Sequence, residues 1–426
     1  MSELLAVLDG RIVGALDSDR SGRLRFTYDA QWRNDPDAIP LSLSLPLAAA
    51  THQGDVVEAV LWGLLPDNEH TLQRWATQFQ VSARNPLALL ANVGEDCAGA
   101  VQFVRADAMD ALAHGNIEWL DETAIAERLK RLRQDSGAGR FPQDEGQFSL
   151  AGAQPKTALI RVDGRWGIPS GNIPTTHILK PPSNDFDGYA ENEHFCMKLA
   201  AAYGLPTAAS DVLRFNDEVA IAVARYDRIH AEPWPRRVHQ EDLCQALGVH
   251  PRRKYQNEGG PTPKDVADLL WTQSSQPLAD VNRFFQSLLF NWLIAGSDAH
   301  AKNYSILLGT GGDVRLAPLY DLSSAHPYPR QLDPHKLKMA MKTGNHYRWR
   351  DITLRDWHHL AEDLKIKARD ADIALKAMAE ELPPLATSVA AELADNGITH
   401  NVIPQLVEGI KDAAAKLLRQ LDIGSP

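Results

Sequence analysis

The run Ser297-Asp298-Ala299-His300-Ala301-Lys302-Asn303 leads straight into an apolar, strand-like segment, Tyr304 to Leu308. After a Gly311-Gly312-Asp313 turn, the returning segment Val314 to Ala317 is followed by Leu319-Tyr320-Asp321-Leu322-Ser323. The strands of a hairpin return to the end where they began, so the pattern predicts that Asp298, Asn303 and Asp321 meet there. Three oxygen-bearing side chains gathered in this way suit phosphoryl transfer from ATP. Magnesium takes hard oxygen ligands and usually draws only one or two from protein, leaving its other positions to phosphate. Asn303 and Asp321 are the candidate metal ligands, and Asp298 is the candidate for orienting an attacking hydroxyl. Asp and Asn also cap hairpins in proteins without any chemistry, so the weight rests on the three together. His300 either orients Asp298, contacts phosphate or serves the structure.

The spacing from Asp298 to Asn303 equals that of the protein-kinase catalytic loop. Asp321 takes the place of the later metal-binding Asp, although Tyr320 and Leu322 flank it instead of Phe-Gly. A phosphate cradle should accompany such a site. The run Gly146-Gln147-Phe148-Ser149-Leu150-Ala151-Gly152-Ala153-Gln154-Pro155-Lys156 precedes a strand, Thr157 to Val162. Its small residues let the backbone of Ala151, Gly152, Ala153 and Gln154 approach phosphate, and Lys156 adds charge. It lacks the Gly-x-x-x-x-Gly-Lys-Ser/Thr order of a P-loop. Lys180 ends the short strand His177 to Lys180, a placement that suits a lysine on the α- and β-phosphates, although taken alone it reads first as an ordinary strand end. Val219 to Arg225 would then be the last strand before a hinge. There Ala224, Arg225 and Tyr226 would offer backbone groups to adenine, and Asp227 could reach the ribose. Glu191 or Glu193 could pair with Lys180, and helical phase does not choose between them.

These groups need a scaffold, and the length of 426 residues makes two or three domains the prior. With 44% hydrophobic and 23% charged residues, the chain can bury a sizeable core and wholesale disorder is excluded. The start is β-rich: Leu4 to Leu8, an Asp9-Gly10 turn, Arg11 to Leu16, then Leu24 to Tyr28. Leu41, Leu43 and Leu45 alternate with Ser42 and Ser44, which reads as a strand with its serines outward. Val56 to Leu90 turns helical, and Gln134 to Glu145 reads as a linker or mobile loop. Further helices are expected at Glu191 to Tyr203 and Val281 to Ile294, and beyond Thr353, whose spacing to Asp356 resembles a capping box. Arg128, Lys130, Arg131 and Arg133 form the densest basic cluster and read as a solvated helix face. The net charge of −11 makes the chain a poor candidate for gripping nucleic acid unaided. Cys97, Cys196 and Cys244 are far apart and form no CxxC pair, which argues against a disulfide framework or a zinc site. The N-terminus has no basic region before its apolar residues, and no apolar run approaches about 18 residues. The expectation is a cytoplasmic protein without a membrane segment.

Five runs carry a resemblance: Ser149-Leu-Ala-Gly-Ala-Gln-Pro-Lys-Thr-Ala-Leu159, Glu191-Asn-Glu-His-Phe-Cys-Met197, Gln240-Glu-Asp-Leu-Cys244, Ser297-Asp-Ala-His-Ala-Lys-Asn-Tyr304 and Leu316-Ala-Pro-Leu-Tyr-Asp-Leu322. In this order they resemble the HipA family of bacterial toxin kinases over nearly the whole chain. The resemblance implies an α+β, two-lobed protein-kinase-like fold with an N-terminal β-rich subdomain and a largely helical C-terminal lobe. The corresponding divisions are 1–110 for the β-rich subdomain, 111–148 for a helix and mobile linker, 149–230 for the N-lobe and 231–426 for the C-lobe. It also implies a serine/threonine protein kinase using ATP and Mg2+, the toxin of a type II toxin–antitoxin pair. Asp298 would be the catalytic base, Asn303 and Asp321 the magnesium ligands, Lys180 the ATP-phosphate lysine and Ala151 to Lys156 the phosphate loop. Ser149 matches the family's autophosphorylated serine, whose modification would expel that loop. The implied partners are a small DNA-binding antitoxin (HipB-like), operator DNA mainly through that antitoxin, and a substrate such as glutamyl-tRNA synthetase or another aminoacyl-tRNA synthetase. Pro155 stands where Glu is common, removing one N–H, and Ala224 where the hinge often has Glu. Two alternatives stay open: a small-molecule or lipid kinase of the same fold, and a catalytically silent corepressor that binds antitoxin.

Overall fold

The computed structural model describes residues 3–135, 148–182 and 185–424. The linker expected at Gln134 to Glu145 therefore lies outside the described residues, apart from Gln134 and Asp135, as do Gly146 and Gln147. Two compact units emerge, the first made of Met1–Pro181, Leu213–Arg253 and Ser305–Val314, the second of Pro182–Val212, Lys254–Tyr304 and Arg315–Pro426.

In the first unit, a five-stranded sheet runs Thr51–Gln53, Leu24–Tyr28, Arg11–Ser18, Leu4–Leu8, Gln102–Arg105, with antiparallel neighbours. Its inner face alternates correctly for burial: Leu24, Phe26 and Tyr28 are buried and Arg25 and Thr27 are not. Three helices, Asp55–Gly63, Glu69–Phe79 and Pro86–Val93, supply Val57, Val60, Leu72, Trp75 and Leu90 to the same core. A six-stranded sheet follows in the order Ser210–Phe215, Glu218–Ala224, His177–Lys180, Thr157–Val162, Arg165–Pro169, Ile117–Leu120. The strands Thr157–Val162 and His177–Lys180 span the residues expected from their apolar runs. The helix Glu122–Gln134 is capped by Asp121, whose side chain accepts from Ala124 N–H at 2.8 Å. Its basic cluster is not uniformly solvated: Arg128 is buried, and Arg133 is paired with Glu218 at 2.7 Å.

The Leu41 to Leu45 alternation is not a strand. Leu45 N–H reaches back to Ser42 O at 2.9 Å, closing a turn, and the Tyr28 hydroxyl clasps it by donating to Leu45 O at 2.5 Å and accepting from Leu41 N–H at 2.9 Å. Ser42 points inward, fully buried, with its Oγ 2.5 Å from Glu241 Oε2, while Leu43 N–H donates to Glu241 Oε1 at 2.7 Å. Burial dominates the Glu241 carboxyl and pushes its pKa up to about 8, against the opposing pull of the Leu43 and Ser42 hydrogen bonds. A carboxyl raised on folding contributes stability that is whole below its ordinary pKa of 4.5 and is lost as pH rises toward 8. Glu241→Gln removes that ionisation. Relative to the parent, its stability is expected to rise by about 2–4 kcal/mol between about pH 5 and pH 8, read from paired denaturation curves. Parallel pH profiles for the two proteins would refute the assignment.

The second unit is mostly helical. Helices Tyr189–Ala202, Ala368–Asp395 and Val402–Gly424 pack on one another, and Pro263–Gln273, Pro277–Leu293 and Leu354–Asp363 complete the bundle. Phe284, Phe285, Leu288, Leu289 and Trp292 lie buried on Pro277–Leu293. Trp292 meets Trp357 edge to face, with ring centroids 5.9 Å apart. The capping box expected at Thr353 is present: the Asp356 carboxylate accepts from Thr353 N–H at 3.0 Å and from its hydroxyl at 2.7 Å. No helix among the described residues is long and apolar enough to cross a membrane. All three cysteines are buried and unbridged.

Candidate active site

In the second unit, the helix Pro277–Leu293 ends by a sharp turn. Ala295 takes a left-handed φ of 52°, and Gly296 N–H donates to Asn291 O at 2.6 Å. A Cβ at Gly296 would sit 2.5 Å from Asn291 Oδ1, so a larger residue here would displace the Asn291 side chain. The turn delivers Asp298 to a loop closed on itself. Asp298 O accepts from His300 N–H at 2.8 Å and from Asn303 Nδ2 at 2.7 Å, and Asn303 N–H donates to His300 O at 2.9 Å. With its amide nitrogen committed to Asp298, Asn303 presents its carbonyl oxygen as the acceptor a cation would use.

Asp321 is held by the same neighbourhood. The Tyr320 hydroxyl donates to Lys302 O at 2.7 Å, which lays the segment bearing Asp321 against the one bearing Asn303. Asp321 itself has φ 57°, a left-handed backbone that Asp and Asn tolerate better than most residues. On the other side, fully buried Asn192 clamps the following residues, donating to Ser324 O at 2.8 Å and accepting from Ser324 N–H at 2.9 Å. Tyr189 adds a bond to Ser323 Oγ at 3.0 Å. The two candidate ligands, the Asn303 amide oxygen and the Asp321 carboxylate, are hard oxygens of the kind magnesium takes with phosphates completing its shell. Among the described residues no three His, Cys, Asp or Glu side chains gather to hold a metal by themselves. Of the two helix glutamates, Glu193 is fully buried and Glu191 only half-buried.

The first unit carries the remaining candidates. Lys180 is buried at the end of its strand, opposite Ile221. Gly152, at φ 103°, pairs with Pro66 in a parallel bridge and accepts from Asp67 N–H at 3.2 Å. Lys156 Nζ folds back to Ala151 O at 2.7 Å, while Ala153 and Gln154 line a small cavity with Trp75, Leu150 and Lys156. Ser149 is wholly buried; its hydroxyl donates to Leu64 O at 2.7 Å and its N–H to Asp96 O at 3.0 Å.

The model of the HipA-like C-terminal domain matches residues 148–385, more than half of the sequence. This chain belongs to the HipA family. The HipA N-terminal domain matches residues 4–104. A relative named "Putative kinase Y4mE" from Sinorhizobium fredii is 40% identical over 362 residues, covering 83% of this chain and 84% of that one. The "Serine/threonine-protein kinase toxin HipA" of Shewanella oneidensis is 31% identical over 340 residues, 74% of each chain. A solved complex of HipA, HipB and operator DNA from Shewanella oneidensis MR-1 aligns with a TM-score of 0.85 at 24% identity, across 99% of this chain and 98% of its match. The fold is accordingly the two-lobed, kinase-like α+β fold of HipA.

Within this HipA-family chain the hinge departs from the sequence reading. Asp227 is buried, with both carboxylate oxygens engaged by protein groups. Its Oδ1 accepts from Arg225 Nε at 3.0 Å, and its Oδ2 from Arg225 Nη2 at 2.8 Å, from Gly99 N–H at 2.7 Å and from Arg228 Nη1 at 3.0 Å. Burial opposes its ionisation, but Arg225 and Arg228 outweigh that and lower its pKa. Arg225 likewise spends its backbone N–H on Thr176 O at 2.9 Å. Asp96 is the centre of the same network: Arg228 Nη2 at 2.9 Å, Arg237 Nε at 3.1 Å, Arg225 Nη1 at 3.3 Å and Thr175 Oγ1 at 2.6 Å all reach its carboxylate. Sequence reasoning missed Asp96, which sits in a turn-like Gly94-Glu-Asp-Cys-Ala-Gly99 run with no local sign of burial. It also missed Asn192, although a polar residue between Glu191 and Glu193 on an otherwise apolar helix face was available as a signal.

Proposed function

We propose that this HipA-family chain is an ATP- and magnesium-dependent protein serine/threonine kinase acting as the toxin of a type II toxin–antitoxin pair. The observation that carries the reading is the closed loop in which Asn303 Nδ2 fastens on Asp298 O while Tyr320 ties the Asp321 segment alongside. In this reading the Asp298 carboxylate serves a substrate hydroxyl, and the oxygens of Asn303 and Asp321 serve a cation. Asp298 takes the hydroxyl proton as the oxygen attacks the γ-phosphorus, and the bond to the β,γ-bridging oxygen breaks to release ADP. Magnesium, when bound, neutralises charge on the phosphates. Lys180 and the Ala151 to Lys156 loop hold the nucleotide, with Ala224 and Tyr226 at adenine.

Ser149 is the proposed self-phosphorylation site. Its present position has no exposure and faces the Leu64 carbonyl, an acceptor that a phosphate dianion cannot use. Modified Ser149 must therefore leave, taking the phosphate loop with it and silencing the kinase. A HipB-like antitoxin and, through it, operator DNA are the proposed partners, and the acidic charge of −11 fits DNA contact made mainly by the antitoxin. A translation component such as glutamyl-tRNA synthetase is the proposed target.

The test is to incubate phosphatase-treated protein with magnesium and ATP, and to map phosphate by mass spectrometry beside Asp298→Asn. Phosphate is expected on Ser149 in the parent and nowhere in the variant, with new protease cleavage around residues 148–156 after modification. If the parent stays unmodified while still binding ATP, the protein-kinase reading gives way to a silent corepressor or a small-molecule kinase.

A further inference from the structure

The geometry points to Tyr255 as a positioning residue for phosphoryl transfer, acting through Asp298; the inference rests on the kinase reading above. The Tyr255 hydroxyl donates to Asp298 Oδ1, and both residues lie in the second unit, 43 positions apart in sequence. The same ring meets His300 edge to face, with centroids 4.9 Å apart and planes at 86°. Next to it, Lys254 O accepts from Ala301 N–H at 3.3 Å. One short segment thus touches the catalytic loop at three successive places: carboxylate, imidazole and backbone.

The segment is itself stiff. Tyr255 O accepts from both Glu258 N–H and Gly260 N–H at 3.0 Å, closing a turn, and Gln256 Oε1 accepts from Lys342 N–H at 2.7 Å. A rigid donor on one carboxylate oxygen fixes the plane of Asp298. The transfer depends on that alignment, because a general base must lie within hydrogen-bond reach of the proton it removes. Asn303 holds the backbone of Asp298 from within the loop, and Tyr255 holds its side chain from outside. In the reaction the hydroxyl proton passes to the Asp298 carboxylate, the new P–O bond forms, ADP leaves, and the Tyr255 proton stays where it is.

The experiment compares full-length parent, Tyr255→Phe, Tyr255→Ala and Asp298→Asn. For each, the rate constant of transfer onto the chain itself at saturating magnesium and ATP is measured, with the half-saturating ATP concentration and the melting temperature. Tyr255→Phe keeps the ring on His300 and loses only the hydroxyl. Its rate is expected to fall about tenfold or more, the worth of a hydrogen bond to a charged group, with unchanged ATP dependence and melting. Tyr255→Ala is expected to match it in rate if the hydroxyl is what matters. An unchanged rate in Tyr255→Phe, beside an inactive Asp298→Asn, overturns the role of Tyr255 and leaves the kinase reading standing. A rate loss in Tyr255→Phe that comes with lower melting and weaker ATP dependence shows a merely structural support, as does a loss seen only in Tyr255→Ala. Full transfer by Asp298→Asn, or none by the parent, overturns the kinase reading itself and this inference with it.

Discussion

Replacing Asp96 by Asn is expected to destabilise the unit that holds it by about 3–5 kcal/mol, the usual cost of removing one partner from a buried ion pair. The change is nearly isosteric and can keep an acceptor for Thr175, but it removes the charge and sets an amide donor against Arg228 and Arg237. In the parent, two carboxylates, Asp96 and Asp227, face three guanidiniums, Arg225, Arg228 and Arg237, and the side chains of Asp96, Arg225 and Arg228 are less than a tenth exposed. The variant leaves Asp227 alone against all three. Burial would raise the Asp96 pKa, yet Arg228, Arg225 and Arg237 hold it well below the ordinary 3.8. A carboxylate depressed in this way contributes stability that is complete above its ordinary pKa and fades as pH falls through the folded value. The difference between parent and variant should therefore be constant at neutral pH and shrink only in strong acid. Denaturant unfolding read by tryptophan fluorescence at neutral pH checks the size. A shift below about 1 kcal/mol would place the pair among those that contribute little.

Asp321→Asn is expected to slow phosphate transfer by about 1000-fold, because a bound cation supplies several kcal/mol of transition-state stabilisation and Asn is a weaker ligand for it. The variant keeps a side chain suited to the left-handed φ of 57°, so the fold around Tyr320 and Ser324 should persist. Calorimetric titration with ATP separates metal from nucleotide. Magnesium should tighten ATP binding to the parent and have little effect on the variant, while binding without magnesium stays equal in both. Identical magnesium dependence in the two proteins would remove Asp321 from the metal site.

How far these residues were legible in sequence depended on whether their partners were local. The strands Thr157–Val162 and His177–Lys180 were readable because apolar runs there end at Asp163-Gly164 and Pro181-Pro182. The approach of Asn303 to Asp298 was readable because the bonds that close this loop lie within six residues. The Ser42 alternation misled because period-two leucines also suit a turn whose serine finds a buried acid 199 positions away. Asp227 misled for the same reason in reverse. A hinge carboxylate looks free until distant Gly99 and neighbouring Arg225 and Arg228 claim both its oxygens. Tyr255 carried no chemical signature at all, since a tyrosine beside a glycine-rich turn reads as packing until its hydroxyl is seen on Asp298.

The parallel bridges Pro66 to Gly152 and Asp96 to Phe148 bear on how such chains can be cut and recombined. Residues 4–104 and 148–385 match separate family domains, which invites treating them as interchangeable cassettes. Yet the first supplies the carbonyl that holds Ser149, the amide that holds Gly152 and the acid that neutralises Arg225, Arg228 and Arg237. A fragment beginning at the second cassette would leave Asp227 as the one carboxylate of this network for Arg225, Arg228 and Arg237, and the Ala151 to Lys156 loop without the Asp67 amide. A chimera would work only if its borrowed first cassette brought an acid at position 96 and a backbone of the same shape at 64–67.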